Sequence, residues 1–149
     1  MVIFMKIIIE DIGPDEEEQI IIRCRKLNDT LLRLISDLKL GEKKIAGTKD
    51  GIITMLEPES IYYFEGVDNK VFIYCKEQVY ETKLKLYELE EEYHTTTFFR
   101  ASKSVILNVS KIKCITPAFS GRFEAVLLNG EKVVISRQYV PELKRKLGL

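Results

Sequence analysis

Apolar residues along this chain fall mostly in short runs separated by turn-forming residues, which is the pattern of a β-rich protein. The clearest example is the stretch 98–109, FFRASKSVILNV, in which two apolar runs flank a polar turn. The second run is β-branched and aliphatic, which favours a buried strand. This stretch predicts a hairpin around which the rest of the chain is organised, with cationic and hydroxyl side chains at its tip.

Short strands follow one another from residue 45 onwards. Asp50-Gly51 tolerates positive φ and Asn129-Gly130 is a strong turn signal, so both dipeptides are expected to close hairpins. An acidic helix is predicted over residues 83–93, with its charges on a solvated face, and a short basic helix over 139–147. Besides the hairpin at 98–109, the pattern predicts strands over residues 45–49, 52–56, 61–65, 71–74, 79–82, 112–117, 122–128 and 133–136.

The first 44 residues have a different pattern. Two isoleucine-rich stretches, 5–12 and 19–26, are separated by Gly13 and Pro14, which break regular structure. Both stretches favour strands, although the second is short enough that it could instead begin a helix.

A helix is expected next. Asn28 or Asp29 is a plausible N-cap, and leucines and one isoleucine then recur at helical spacing up to Gly41. We therefore expect a β-β-α segment at residues 1–44, followed by a separate domain at 45–149. Because the segment buries little area by itself, it could be a dimerisation element that packs against a second copy, or it could dock against the β domain.

Length and composition are typical of an ordinary soluble protein with one core. The chain has 149 residues, of which 46% are hydrophobic, and no apolar run approaches the ~18 residues that a membrane span needs. The three cysteines, Cys24, Cys75 and Cys114, are far apart and form no C-x-x-C pair. They predict reduced, buried thiols in a cytoplasmic protein rather than disulfides or a zinc site.

The charges are unevenly distributed although the formal net charge is zero. Residues 45–97 carry five Lys/Arg against eleven Asp/Glu, a net of −6, whereas residues 98–149 carry ten against three, a net of +7. A field of one sign gathered on one part of a fold is expected where a protein binds phosphate groups.

Enzymatic chemistry is poorly supported. His94 is the only histidine and has no nucleophile motif near it, and glycine-rich phosphate loops are absent. Glu10 and Asp11 are similar to the acidic pair of receiver domains, but too few residues surround them for such a domain. We expect neither an enzyme nor a protein with a metal, a cofactor or a small-molecule substrate.

Four motifs in the second part of the chain point to a family. The segment 45–149 resembles the LytTR DNA-binding domain, the output domain of many bacterial regulators of the LytR and AgrA kind. The motifs that carry the resemblance are IYYFEGVDNKVFIY at 61–74, YETKLKLYELEE at 80–91, FFRASKSVILNVSKI at 98–112 and VVISRQYVPELK at 133–144.

The resemblance implies a mainly β fold with short helices, an elongated β-β-β domain whose loops enter successive major grooves of bent DNA. Phe99, Asn108 and Tyr139 also match motif positions, but we interpret them as structural, because a buried Phe and an Asn that satisfies backbone groups are the ordinary explanations. The family often has His or Asn where this chain has Ser102 and Lys103, so Lys103 is expected to contact phosphate rather than a base. The DNA-binding residues that the resemblance and the basic hairpin tip together predict are Asp68, Asn69, Lys70, Arg100, Ser102, Lys103 and Arg137.

These observations predict a sequence-specific DNA-binding transcriptional regulator that binds double-stranded DNA as a homodimer. Because no receiver domain is expected in residues 1–44, we expect its control to come from abundance or from a partner. A protein-interaction module or antiregulator that binds a protein through its β surface is the alternative. An RNA-binding β barrel is a third possibility, weakened by the lack of an obvious exposed aromatic platform.

Overall fold

The computed structural model describes residues 5–40, 44–93 and 96–149. The only histidine, His94, and the expected helix end at Gly41 lie outside these ranges. Helices and strands within them are α1 Asp29–Leu40, β1 Ile45–Lys49, β2 Ile52–Leu56, β3 Ile61–Val67, β4 Lys70–Cys75, β5 Val79–Thr82, α2 Leu86–Tyr93, β6 Phe98–Arg100, β7 Val105–Asn108, β8 Ile112–Pro117, β9 Phe123–Leu127, β10 Lys132–Ile135 and α3 Val140–Leu147.

The strands form two antiparallel sheets. Seven strands pair in the order β2-β1-β5-β4-β3-β7-β6, and the other three pair in the order β10-β9-β8. The predictions of a mainly β fold and of each strand after residue 45 are confirmed, with small shifts at several ends. Asp50 and Gly51 both adopt positive φ, as the closing turn between β1 and β2 requires.

Helix α2 begins three residues later than the sequence pattern predicts. The Thr82 hydroxyl oxygen accepts a hydrogen bond from the Leu84 N–H, and the Glu88 carboxylate accepts one from the Lys85 N–H. These side-chain acceptors satisfy backbone donors ahead of the first helical turn, so the helix starts at Leu86.

The hairpin of β6 and β7 is buried on both faces, because successive side chains of a strand point to opposite sides of the sheet. Phe98 and Ile106 belong to a core beneath helix α2, which also contains Phe64. Phe99 and Leu107 belong to a second core with the three-stranded sheet and helix α3. This hairpin therefore joins the two cores, and the predicted burial of its second strand is confirmed.

The predicted strands at 5–12 and 19–26 are wrong. These residues form neither a helix nor a strand, and their side chains are almost all exposed; Ile7 and Ile9, for example, are 87% and 89% exposed. A strand exists only when its backbone groups pair with a neighbour, and neither edge strand, β2 or β6, pairs with this segment.

Helix α1 is present as predicted, with Asn28 as its N-cap. The Asn28 side-chain oxygen accepts a hydrogen bond from the Leu31 N–H at 2.9 Å. Three of its leucines are incompletely covered, since Leu32, Leu34 and Leu38 are between 45% and 51% exposed. In the described ranges no helix is long and apolar enough to cross a membrane.

The prediction of buried cysteines is wrong for two of the three. Cys24 and Cys114 are exposed, and Cys75 is half-buried. Cys24 lies in the segment that forms no strand, and Cys114 lies on β8, an edge strand of the small sheet. A cysteine is small and apolar enough to be buried, but whether it is buried depends on where its strand or segment lies in the fold.

Candidate nucleic-acid interface

The turn between β6 and β7, residues 101–104, is the centre of the candidate interface, and we call it the central turn. The Ala101 N–H donates to the Val105 carbonyl at 2.9 Å, and the Ser102 hydroxyl oxygen accepts from the Ser104 N–H at 3.3 Å. Lys103 lies exposed at the tip. A buried hairpin with a short, internally bonded turn thus presents one free cationic side chain to solvent.

Two backbone hydrogen bonds attach neighbouring loops to the central turn. The Gly66 N–H, just before the 67–70 turn, donates to the Ser104 carbonyl at 2.8 Å. The Ser136 N–H, just before Arg137, donates to the Ala101 carbonyl at 2.8 Å. The structure therefore brings the three loops that contain the predicted DNA-binding residues together, with the central turn in the middle.

The 67–70 turn connects β3 and β4 and is exposed throughout. Asp68 and Asn69 both have positive φ, 50° and 66°, which is the conformation that closes a two-residue hairpin. Lys85 donates to the Asn69 carbonyl at 3.4 Å, and Lys70 lies 3.8 Å from a carboxylate oxygen of Glu81. The turn is thus held in one conformation while Asp68 and Lys70 face water.

Arg137 lies in the short turn between β10 and helix α3, and its side chain is exposed. Its aliphatic stem packs over the backbone of Gly121, because a Cβ built on Gly121 would lie 2.9 Å from the Arg137 Cδ. Within the described parts of the chain, neither Arg137 nor Lys103 has an ion-pair partner. Both cations are therefore available to a ligand.

Sequence reasoning did not single out the neighbours of Arg137 in the 118–122 turn. A polar depression is lined by Ser120, Arg122, Ser136, Arg137 and Gln138. Two guanidinium groups with hydroxyl neighbours suit an anion such as a phosphate. The excess of Lys and Arg after residue 98 includes Arg122, but only the folded chain brings it beside Arg137.

Arg100, another predicted DNA-binding residue, has its guanidinium engaged within the protein. Its side chain is 18% exposed and forms an ion pair with Glu90 at 2.5 Å. It also donates to the carbonyls of Ser102 and Lys103. Its place in the fold is beneath the central turn rather than at the tip.

The structural roles predicted for Phe99 and Asn108 are confirmed. Phe99 is buried in the second core. Asn108 is 1% exposed; its amide donates to the Ile61 carbonyl at 2.8 Å, and its oxygen accepts from Thr97 and from both the N–H and the hydroxyl of Ser110. Asn108 thus fixes the end of β7 from inside.

Metal-binding groups are absent from the described residues: no three His, Cys, Asp or Glu side chains are placed to hold an ion. The tyrosine pair Tyr63 and Tyr74 is stacked with ring centroids 4.3 Å apart. Burial, followed by the charge of Glu131, raises the pKa of Tyr63, and burial together with Glu65 raises that of Tyr74. Both phenols therefore stay neutral at physiological pH.

Comparison with known proteins gives consistent results. The sequence profile of the LytTr DNA-binding domain matches residues 51–148. A solved structure described as the LytTr DNA-binding domain of a putative methyl-accepting/DNA response regulator from Bacillus cereus superposes with a TM-score of 0.68 at 27% identity, covering 73% of this chain and all of that one.

Curated relatives match as well. The sensory transduction protein LytT of Enterococcus faecalis is 38% identical over 65% of this chain and 40% of its own length, and LytT of Bacillus cereus is 31% identical over 76% and 46%. An uncharacterized HTH-type transcriptional regulator of Staphylococcus aureus is 26% identical over 91% of this chain and 92% of its own length. The chain thus spans about half the length of the LytT proteins that it matches.

The fold and these matches define the class of protein as a DNA-binding domain built from β-strands. The chain belongs to the LytTR DNA-binding domain family.

Proposed function

We propose that this protein is a transcriptional regulator that binds specific sequences in double-stranded DNA through three neighbouring loops. The observation that carries the proposal is the pair of backbone hydrogen bonds that joins the 67–70 turn and Ser136 to the central turn. Loops held at fixed spacing on a rigid sheet can enter successive major grooves on one face of the duplex.

The side chains of this surface have different roles in the proposal. Arg137, whose stem is supported by Gly121, reads a guanine edge with two hydrogen bonds. Lys103 at the tip of the central turn contacts a phosphate, which positions the protein without reading sequence. Ser102 and the residues Asp68, Asn69 and Lys70 supply further contacts from the other two loops.

Arg122 and Arg100 complete the proposed surface. The sequence pattern did not single out Arg122, and it placed Arg100 at the DNA-binding tip rather than beneath it. Arg122, with Ser120 beside it, contacts the phosphate next to the base that Arg137 reads, since both arginines line one depression. Arg100 acts from beneath, because its donors are engaged with the central turn and Glu90.

The division of the chain into residues 1–44 and 45–149, and its assembly as a homodimer, are also part of the proposal. Apolar side chains of α1 and of the segment before it lie exposed in the single chain, and contact with a second copy would bury them. Two linked copies would bind two half-sites with a raised effective concentration, which increases affinity for a paired operator.

A second candidate function, binding of a protein partner through the β surface, is favoured by strand β2. It is an edge strand without a charged residue, and Ile52, Ile53 and Met55 are between 54% and 68% exposed. Edge strands without charge or proline are open to pairing with another chain.

The experiment that tests the proposed function is selection of bound sequences from random duplex DNA, followed by gel shifts over a range of salt. We expect an enriched sequence and a log–log salt slope of several units, since each phosphate contact contributes about 0.9. Lys76→Ala is the control and should leave the salt slope unchanged. Lys76 comes directly after the end of β4 that lies opposite Lys70, about 20 Å away along the strand. No enriched sequence, or binding independent of salt, would favour the protein-binding alternative.

A further inference from the structure

Arg100 links the central turn to helix α2. Its Nε donates to the Ser102 carbonyl at 2.8 Å, and its Nη2 donates to the Lys103 carbonyl. Its Nη1 donates to a carboxylate oxygen of Glu90 at 2.5 Å. One guanidinium thus holds two successive carbonyl groups of the turn and is itself held by a carboxylate on α2.

The two partners of this ion pair differ in exposure, because the Glu90 side chain is 47% exposed whereas Arg100 is largely shielded from water. Its side chain is only 18% exposed and lies at the rim of a cavity of about 300 Å³ between α2, β6 and α3, lined by Tyr93 and Phe98 among others. Partial removal from water strengthens the attraction between opposite charges. The planar fork of arginine can serve three acceptors at fixed angles, which the single ammonium of lysine cannot.

We propose that Glu90 is a positioning residue for DNA binding: through Arg100, it fixes the backbone of the central turn in the conformation that places Ser102 and Lys103 against DNA. The inference rests on the proposed function and adds to it a residue of the acidic helix. Helix α2 is anchored in the first core by Leu89 and Tyr93, so Glu90 provides a fixed point.

The sign of the effect separates this role from a general effect of charge. Removing a carboxylate near a DNA-binding surface lowers repulsion with phosphates and, by itself, strengthens binding. Removing Glu90 is expected to weaken specific binding instead, because Arg100 loses the partner that orients it.

The test uses the 149-residue chain and the duplex enriched in the selection experiment. Glu90→Gln keeps an acceptor oxygen but loses the charge, and Glu90→Ala loses both, so we expect DNA affinity to fall in that order. For Glu90→Ala we expect a loss of roughly 3- to 30-fold, which is typical of groups in one hydrogen-bonded network. Glu88→Gln is the matched control, since it removes the same charge from the same helix and its amide oxygen can still accept from Lys85. We expect Glu88→Gln to bind as tightly as the wild type or slightly more tightly.

A second variant and a second readout keep the inference testable if Glu90→Ala folds poorly. Arg100→Lys retains the positive charge, yet we expect it to weaken specific binding as well. In amide NMR spectra of the free protein, the signals of Lys103 and Ser104 should shift in Glu90→Gln and Arg100→Lys but not in Glu88→Gln. Dissociation from the specific site should also be faster in the first two variants.

The outcomes distinguish failure of the inference from failure of the proposed function. If wild-type protein binds a specific sequence and Glu90→Ala, folded by circular dichroism, binds it as tightly as Glu88→Gln, the inference is overturned and the function stands. If the wild type itself selects no sequence, the function fails and the inference fails with it. Unshifted signals of Lys103 and Ser104 in Glu90→Gln would also overturn the inference.

Discussion

Gly121 lies directly beneath the side chain of Arg137, which we propose to contact DNA, and shows how a residue without a side chain can position another residue. Its φ of +75° belongs to the left-handed region, and its missing Cβ leaves room for the Arg137 stem. The arginine therefore extends over a backbone surface rather than over another side chain, which fixes its direction while its guanidinium remains exposed.

Gly121→Ala is predicted to weaken DNA binding, because the new methyl group would lie 2.9 Å from the Arg137 Cδ and displace the stem. The backbone strain should cost about 1 kcal/mol of stability. Gly130→Ala is the matched control, since Gly130 also has positive φ, 90°, but has nothing within 4 Å of the added carbon. Both variants should lose similar stability in urea melts; equal losses of DNA affinity in gel shifts would contradict the account.

Cysteine reactivity gives a prediction at the same scale. Burial raises the pKa of the Cys75 thiol more than Ser60 and Lys111 lower it, so less thiolate forms there at neutral pH. Iodoacetamide should therefore modify the exposed Cys24 and Cys114 first. As the pH rises, the difference between their modification rates and that of Cys75 should become smaller. Peptide mass spectrometry over a time course measures the order, and labelling of Cys75 first would contradict the structure.

The hairpin of β6 and β7 is the element on which both cores and the proposed interface depend. Its residues alternate between the two cores, so neither strand has an exposed face. Asn108 ends the hairpin with four hydrogen bonds and almost no exposure. A turn carried by such a rigid element is held in a fixed position, which a binding site requires.

Asn108→Ala is predicted to reduce the free energy of unfolding by about 3 kcal/mol, because it leaves buried partners such as the Ile61 carbonyl without a hydrogen bond. Asn129→Ala serves for comparison: Asn129 makes two hydrogen bonds in an exposed turn, so its loss should cost about 1 kcal/mol or less. Denaturant melts monitored by circular dichroism measure both values. A loss below 1 kcal/mol for Asn108→Ala would contradict its structural role.

Elements after residue 45 could be predicted from the sequence because each carries its own local signal. Asp50-Gly51 and Asn129-Gly130 mark turns, and apolar runs of strand length lie between such marks. The segment 5–12 carries the same apolar signal, yet it forms no strand because no neighbour pairs with it. Pairing is a long-range property that local pattern does not contain.

The candidate site was predictable to a similar degree. Sequence motifs pointed to Lys103, Arg137 and the 67–70 turn, and the structure places their loops next to one another. The engagement of Arg100 with Glu90 and the position of Arg122 beside Arg137 depend on contacts between residues distant in sequence, or on side-chain directions that only packing fixes. Residue types therefore indicated a candidate binding surface, and the fold separates its exposed side chains from those engaged within the protein.

At the scale of the whole molecule, the excess of positive charge and the largest group of exposed apolar side chains lie in different parts of the chain. The net charge of +7 belongs to residues 98–149, which supply the central turn and both arginines of the depression. Helix α1 and the segment before it expose leucines and isoleucines instead. This separation fits a protein that binds DNA with one surface and associates through another.

Self-association through α1 is predicted to be disrupted by Leu34→Lys together with Leu38→Lys, since both side chains are about 45% exposed in the single chain and would be buried in a dimer. Arg33→Ala is the control for a change on an exposed, polar position of the same helix. Light scattering should give a dimer for the wild type and the control and a monomer for the double variant. A monomeric wild type at working concentration would contradict the proposed dimer.

The central claim is that the joined loops bind DNA with separate roles for Arg137 and Lys103. Its most direct test is a set of binding isotherms for Arg137→Ala and Lys103→Ala, measured on the selected duplex and on an unrelated duplex. Arg137→Ala should lose about 1 to 3 kcal/mol on the selected duplex only. Lys103→Ala should weaken binding to both duplexes alike and lower the salt slope by about one. Isotherms unchanged by both substitutions, with folding intact, would contradict the account.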